Sequence, residues 1–105
     1  MKTSELTGAA LNWVVEMVEC DGAIYSGRGA RPFSTDWAQG GSIIEREKIG
    51  FWAYELDEEG NENPGWYAEN FEGYCQTGPT PLIAAMRCLV ASRLGDEVEI
   101  PEELK

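Results

Sequence analysis

"TGPTPLIAAMRCLVASRLGDE", residues 77–97, decides the fold because both ends of a helix are written into it. Thr80 can cap free backbone N–H groups, Pro81 suits the first helical position where an N–H is not needed, and Gly95 supplies the stop. Leu82, Ala85, Met86, Leu89 and Val90 recur at helical spacing and give the expected buried stripe, flanked by Ile83 and Leu94. Arg87 and Arg93 fall elsewhere on the cylinder. The acidic tail that follows, "DEVEIPEELK", alternates Val98 and Ile100 and could dock on the surface.

Upstream of this helix the pattern changes. "IGFWAYEL" (49–56), "WYAENF" (66–71) and "GYCQT" (73–77) are rich in aromatic residues and read as antiparallel strands. "DEEGNENPG" (57–65) is the turn that makes the first two a hairpin. "GAIYSG" (22–27) could add a fourth strand, and "RGARPF" (28–33) is irregular because Pro32 forces Arg31 out of the helical region. A first helix is expected from near Ser4 or Thr7 to Glu19, stopped by Asp21-Gly22, with Ala10, Leu11, Val14, Met17 and Val18 on its buried face. The order predicts one α+β domain over residues 1–105. It consists of an N-terminal helix, a small antiparallel sheet of three or four strands, and a C-terminal helix packed on the same face.

Charge narrows the functions. Eight Lys and Arg against 19 Asp and Glu give a net charge of −11, a field that repels phosphate backbones and disfavours general nucleic-acid binding. No apolar run is long enough to span a membrane, and the N-terminus lacks the continuous apolar core of a signal peptide. Cys20, Cys75 and Cys88 are widely spaced with no histidine to complete a metal set, so each is expected to be a small buried hydrophobe in a reducing compartment. The absence of histidine also excludes the usual Ser-His and Cys-His nucleophiles, and scattered acids give no specific enzyme signature. No catalytic residue, cofactor or metal is assigned.

One segment departs from the acidic trend. Residues 28–48 hold four cations and three acids, or +1, while the rest of the chain sums to −12. Within it "STDWAQGGSIIERE" (34–47) reads as a turn first, its "QGG" suited to positive φ, and as a candidate ligand wall second. The following "GSIIEREK" is one helical turn or the start of a strand. The groups suit a small phosphorylated, nucleotide-like ligand, a cyclic nucleotide being one example. Arg28 and Arg31 would take phosphate, Trp37 would stack, Gln39 would read a base edge, and the Gly40, Gly41 and Ser42 backbone would allow close approach. Trp66 is a second stacking candidate, although Trp13, Trp52 and Trp66 are first read as core or half-core residues. The helix start at Thr80 is an anion site in principle, and a second subunit could complete the pocket.

"MKTSELTGAALNWVVE" (1–16), "STDWAQGGSIIERE" (34–47) and "GPTPLIAAMRCLVASRLGDEVEIPEEL" (78–104) together resemble the NinX family of small bacteriophage accessory proteins, in the same order and over nearly the whole chain. The resemblance implies a phage-encoded protein working in the cytoplasm of an infected bacterium. In that setting a non-enzymatic protein that sequesters a host immune signal is the leading expectation. An acidic protein-interaction module that inhibits or redirects a host or phage protein is the alternative. Removing residues 96–105 is expected to separate the two, impairing only the charge-driven interaction.

Overall fold

The computed structural model describes residues 1–20, 31–54 and 65–104. Helix α3 (Pro81–Leu94) begins as the sequence requires, with the Thr80 hydroxyl accepting from the Ile83 N–H at 3.1 Å, and Gly95 ends it at φ +87°. Its burial is wider than a stripe. Every residue from Ala84 to Ala91 is buried, because α3 lies between the sheet on one side and two helices on the other. A helix that is apolar nearly all round belongs in that position.

The sheet is a three-stranded antiparallel meander, β1 (Gly50–Tyr54), β2 (Gly65–Glu69) and β3 (Cys75–Gly78), in the order β1-β2-β3. The register pairs Phe51 with Ala68, Trp52 with Tyr67 and Ala53 with Trp66, so side chains alternate between two faces. Ala68, Trp66 and Gly78 turn toward α3, and a Cβ at Gly78 would lie 2.8 Å from the Ala84 nitrogen. Trp52, Tyr67, Cys75 and Thr77 share the opposite face, which no helix covers among the described residues. Asn70 closes the β2–β3 turn, its side-chain oxygen accepting from the Glu72 and Tyr74 N–H groups. The expected strand over 22–27 and most of the hairpin turn at 57–65 lie outside the described residues, as does the stop at Asp21-Gly22.

Helix α1 (Gly8–Glu19) follows Thr7 and packs on α3. Its fully buried positions are Ala10, Leu11, Val14 and Val15, two i,i+4 pairs side by side, while Met17 and Val18 are only half-buried. A third helix differs from the expected turn. Residues Trp37–Glu47 form α2, capped by the Asp36 carboxylate accepting from the Ala38 N–H at 2.9 Å and closed by Lys48 at φ 54°. The "QGG" glycines therefore have helical backbones, and no positive φ is involved. Gly40 is needed for close approach instead, because it lets α2 settle against the Phe33 carbonyl and Leu82 of α3. Ile43 on the same helix enters the core.

Two polar devices lock the layers. Arg87, at 7% exposure, lies between elements rather than toward solvent, donating through Nε to the Leu6 carbonyl and through Nη1 to the Thr77 carbonyl, both at 2.8 Å. Burial without a carboxylate among these partners lowers the stability of its charged form, and its pKa falls accordingly. The chain ends are zipped together. Val98 N–H donates to the Met1 carbonyl, Thr3 N–H to Asp96 and the Thr3 hydroxyl to Gly95, with Ile100 buried beyond them. Truncation at residue 96 would thus remove core contacts along with charge.

Two neighbouring glycines test the helical placement of α2. Gly40→Ala should destabilise the fold by about 1–3 kcal/mol, since its methyl group meets backbone. Gly41→Ala, whose Cβ finds only Trp37 Cε3 at 3.8 Å, should stabilise by up to ~1 kcal/mol. Urea unfolding of both variants checks the opposite signs. By the same measurement Arg87→Met should lose about 2–4 kcal/mol, because the buried Leu6 carbonyl and the part-buried Thr77 carbonyl lose a charged donor.

Candidate functional site

The first turn of α2 and strand β1 bring three rings into contact. Trp37 lies with its ring centroid 5.9 Å from that of Phe51, and Phe51 lies 6.1 Å from Trp66 in an edge-on arrangement. Phe51 and Trp66 are diagonal neighbours on the α3 face of the sheet, and Trp37 approaches from the helix above the β1 edge. Trp66 is packed against the core, whereas Trp37 is 51% exposed and Phe51 is 36% exposed. On the other face Trp52, 48% exposed, stacks on Tyr67 at 4.6 Å. Trp52, read from the sequence as a core or half-core residue, is consequently half-exposed on the open face. Hydrogen bonding to Cys75 is the first cause that holds the Tyr67 phenol up to about 12.

The cations gather elsewhere. Arg46 grips Glu19 with both terminal nitrogens at 2.7 and 2.8 Å, and its Nε reaches Glu47 at 3.3 Å. Arg93 also bonds Glu47, and Arg31 donates Nε to both oxygens of Glu16 at 2.9 and 3.2 Å. These pairs join the ends of α1, α2 and α3, where a cation in the last turn also opposes the helix dipole. The hydrogen bonds from Arg46 hold the Glu19 carboxyl below its ordinary value, and the Glu16 carboxylate raises the pKa of Arg31. Arg31 further lies 4.8 Å over the Phe33 ring, whose loop is fixed by Asn12 accepting from the Ser34 N–H and hydroxyl.

Of the residues singled out in the sequence, Trp37 and Trp66 come together through Phe51. Gly40 meets the first turn of α3, but Leu82 fills the space against it. Gln39 and Gly41 are half-buried on α2, and the Ser42 hydroxyl donates back to the Gln39 carbonyl. Thr80 accepts from its own helix. Arg31 is engaged with Glu16 on α1, and Arg46 lies roughly 14 Å of helix from Trp37. Arg28 lies outside the described residues. Phe51 is absent from the sequence candidates and Trp52 enters them only as a core or half-core residue, although an uncharged strand with rings on both faces is the available signal. Cys88 is buried, as expected, and burial pushes its thiol up to about 11, but Cys75 is exposed on the open face. Among the described residues no group of three His, Cys, Asp or Glu side chains could hold a metal, and no helix is long and apolar enough to cross a membrane.

The ion-pair end carries a pH signature. A carboxyl whose pKa is lowered by folding stabilises the native state above its unfolded value, here 4.5, and that contribution disappears as pH falls through the folded value. Arg46→Gln should therefore lower the urea midpoint at neutral pH, and the gap from the parent protein should close on acidification below 4.5. A gap that stays constant with pH would mean that Arg46 acts through packing alone.

Comparison with known proteins supplies the remaining context. No curated protein matches the chain. A family model described as "Bacteriophage P22, NinX" matches residues 2–93, a span that includes α1, α2, all three strands and α3 up to Arg93. The chain belongs to the NinX family of phage proteins.

Proposed function

We propose that this phage accessory protein is non-enzymatic, works in the cytoplasm of the infected bacterium, and binds a protein partner stoichiometrically on the ridge of Trp37, Phe51 and Trp66. The observation that carries the reading is the contact between these three rings at the margin of an uncharged strand, with Trp37 and Phe51 left exposed. Large rigid rings supply contact area at small entropic cost and are enriched among the residues that dominate interfaces. Clustered exposure of this kind marks interaction surfaces in folded proteins. Around the ridge the net charge of −11 steers a basic partner in and opposes an acidic one. Inhibition or redirection of a host or phage protein is the function this supports.

A specific observation favours a second reading. Trp37 and Trp66, each suited to stacking on a base, converge on the same ring. A phosphorylated nucleotide-like ligand, such as a cyclic nucleotide used as a host immune signal, could stack there, and its sequestration would counter anti-phage defence. Its phosphate would have to draw Arg31 from Glu16, a surface pair whose loss costs about 0–1 kcal/mol. The pairing of Arg31 and Arg46 with glutamates makes this the weaker fit within one subunit.

Trp37→Ala separates these readings from a purely structural role. The protein and this variant are purified from infected cells under native conditions and weighed intact, then weighed again after incubation with mono-, di- and cyclic nucleotides. The parent protein should carry a protein partner at fixed stoichiometry, and the folded variant should lose at least about 90% of it. A nucleotide adduct with no protein partner would replace the first reading by the second. Equal capture by parent and variant would remove Trp37 from either.

A further inference from the structure

The turn between β2 and β3 is tightly bonded, and it displays an aromatic ring that the fold does not use. Buried Asn70 organises it. Its Oδ1 accepts from the Glu72 and Tyr74 N–H groups at 3.1 and 3.0 Å, its own N–H donates to the Tyr74 carbonyl, and its carbonyl accepts from Gly73, which stands at φ +94°. The Cys88 thiol also donates to the Tyr74 carbonyl and ties the turn to α3. None of these bonds involves the Phe71 side chain. Phe71 is nevertheless 75% exposed, more than any other large apolar side chain among the described residues, and Tyr74 beside it is exposed as well. Residues 69–75 are all described and lie at the opposite end of β2 from Gly65, where residues 55–64 join the strand. Glu69 and Glu72 flank the ring, both exposed, and among the described residues neither takes part in an ion pair, since Arg31, Arg46 and Arg93 are held by Glu16, Glu19 and Glu47.

We propose that this turn is a docking point separate from the Trp37 ridge, at which Phe71 enters an apolar cleft of a protein partner rimmed by lysine or arginine. A turn already held by its own hydrogen bonds presents the ring with little to order on binding, and aromatic side chains are enriched where interfaces are most fully buried. The two carboxylates select the partner. Rim cations pair with Glu69 and Glu72 once the ring is seated, and the net charge of −11 steers a partner of that sign toward the turn. The same charges oppose a second copy of this chain and the phosphates of nucleic acid. The inference does not rest on what the ridge captures.

The test replaces Phe71 by photoreactive p-benzoylphenylalanine in the full chain, produced during infection and then irradiated. The site is on the surface, so the fold should be kept, which urea unfolding checks. The ring should crosslink to one protein, and mass spectrometry of the joined peptides should place the new bond beside apolar residues flanked by lysine or arginine. Adding Glu69→Lys and Glu72→Lys together should cut the crosslink yield about tenfold or more, and sodium chloride added to the extract before irradiation should lower the yield as well. With the crosslinked protein identified and purified, Phe71→Ser should weaken its binding about tenfold or more, a check that stands if the lysine variant does not fold. No crosslinked protein, a scatter of many proteins, a crosslink to a second copy of this chain or to a segment without cations, or undiminished yield or binding in a folded variant would overturn the inference.

Discussion

The burial of α3 on every side is the constraint on which the rest of the structure depends. The sheet covers one side of this helix, α1 and α2 lie against others, and the 3-10 turn near the N-terminus adds a further contact. An arginine in the middle of such a helix must still be hydrogen-bonded, since an unpartnered buried charge is strongly unfavourable. Arg87 meets the requirement with the carbonyls of Leu6 and Thr77, and so fixes the entry to α1 relative to the end of β3. Glycines then set the approach distances, with Gly40 admitting α2 and Gly78 admitting the sheet.

That arrangement decides where binding can occur. The middle of α2 is committed to α3 through Gly40 and Ile43, which leaves its first turn to project Trp37 over the β1 edge. The helix ends are joined by arginine–glutamate pairs whose groups remain partly in water. Such pairs organise the surface but contribute little stability singly. Phe51 and Trp52 of β1 and the neighbouring Trp37 are exposed, as are Phe71 and Tyr74 around the β2–β3 turn and Leu94 at the end of α3. The proposed binding ridge therefore lies beside a strand, Gly50–Tyr54, that carries no charged residue in an otherwise acidic molecule.

Much of this was legible in the sequence, and the failures have physical causes. Thr80, Pro81 and Gly95 mark α3 because cap and stop residues act locally, and aromatic runs marked β1 and β2. The breadth of α3 burial exceeds the expected stripe, although "AAMRCLVA" contains a single polar residue and already suggests a helix surrounded by protein. Helix α2 was hidden by two glycines with low helical propensity and by a left-handed stop made with Lys48 instead of glycine. Tertiary contact overrode propensity, with Gly40 selected for its missing side chain. The ligand residues were chosen by chemical type, which does not reveal partners. Arg31 is available to phosphate in the sequence but holds Glu16 in the fold, while Trp52 reads as core or half-core and stands half-exposed on an open sheet face.

Hydrogen–deuterium exchange on protein isolated from infected cells, compared with the same chain expressed alone, tests the central claim most directly. If the aromatic surface is where this protein captures its target, backbone protection in the infected-cell material should rise in peptides covering residues 37–42 and 50–53, with little change at the arginine pairs or the tail. Protection confined to residues 96–104, or to the segments bearing Glu16, Glu19 and Arg93, would contradict the account and move binding to the acidic strap or the ion-paired helix ends.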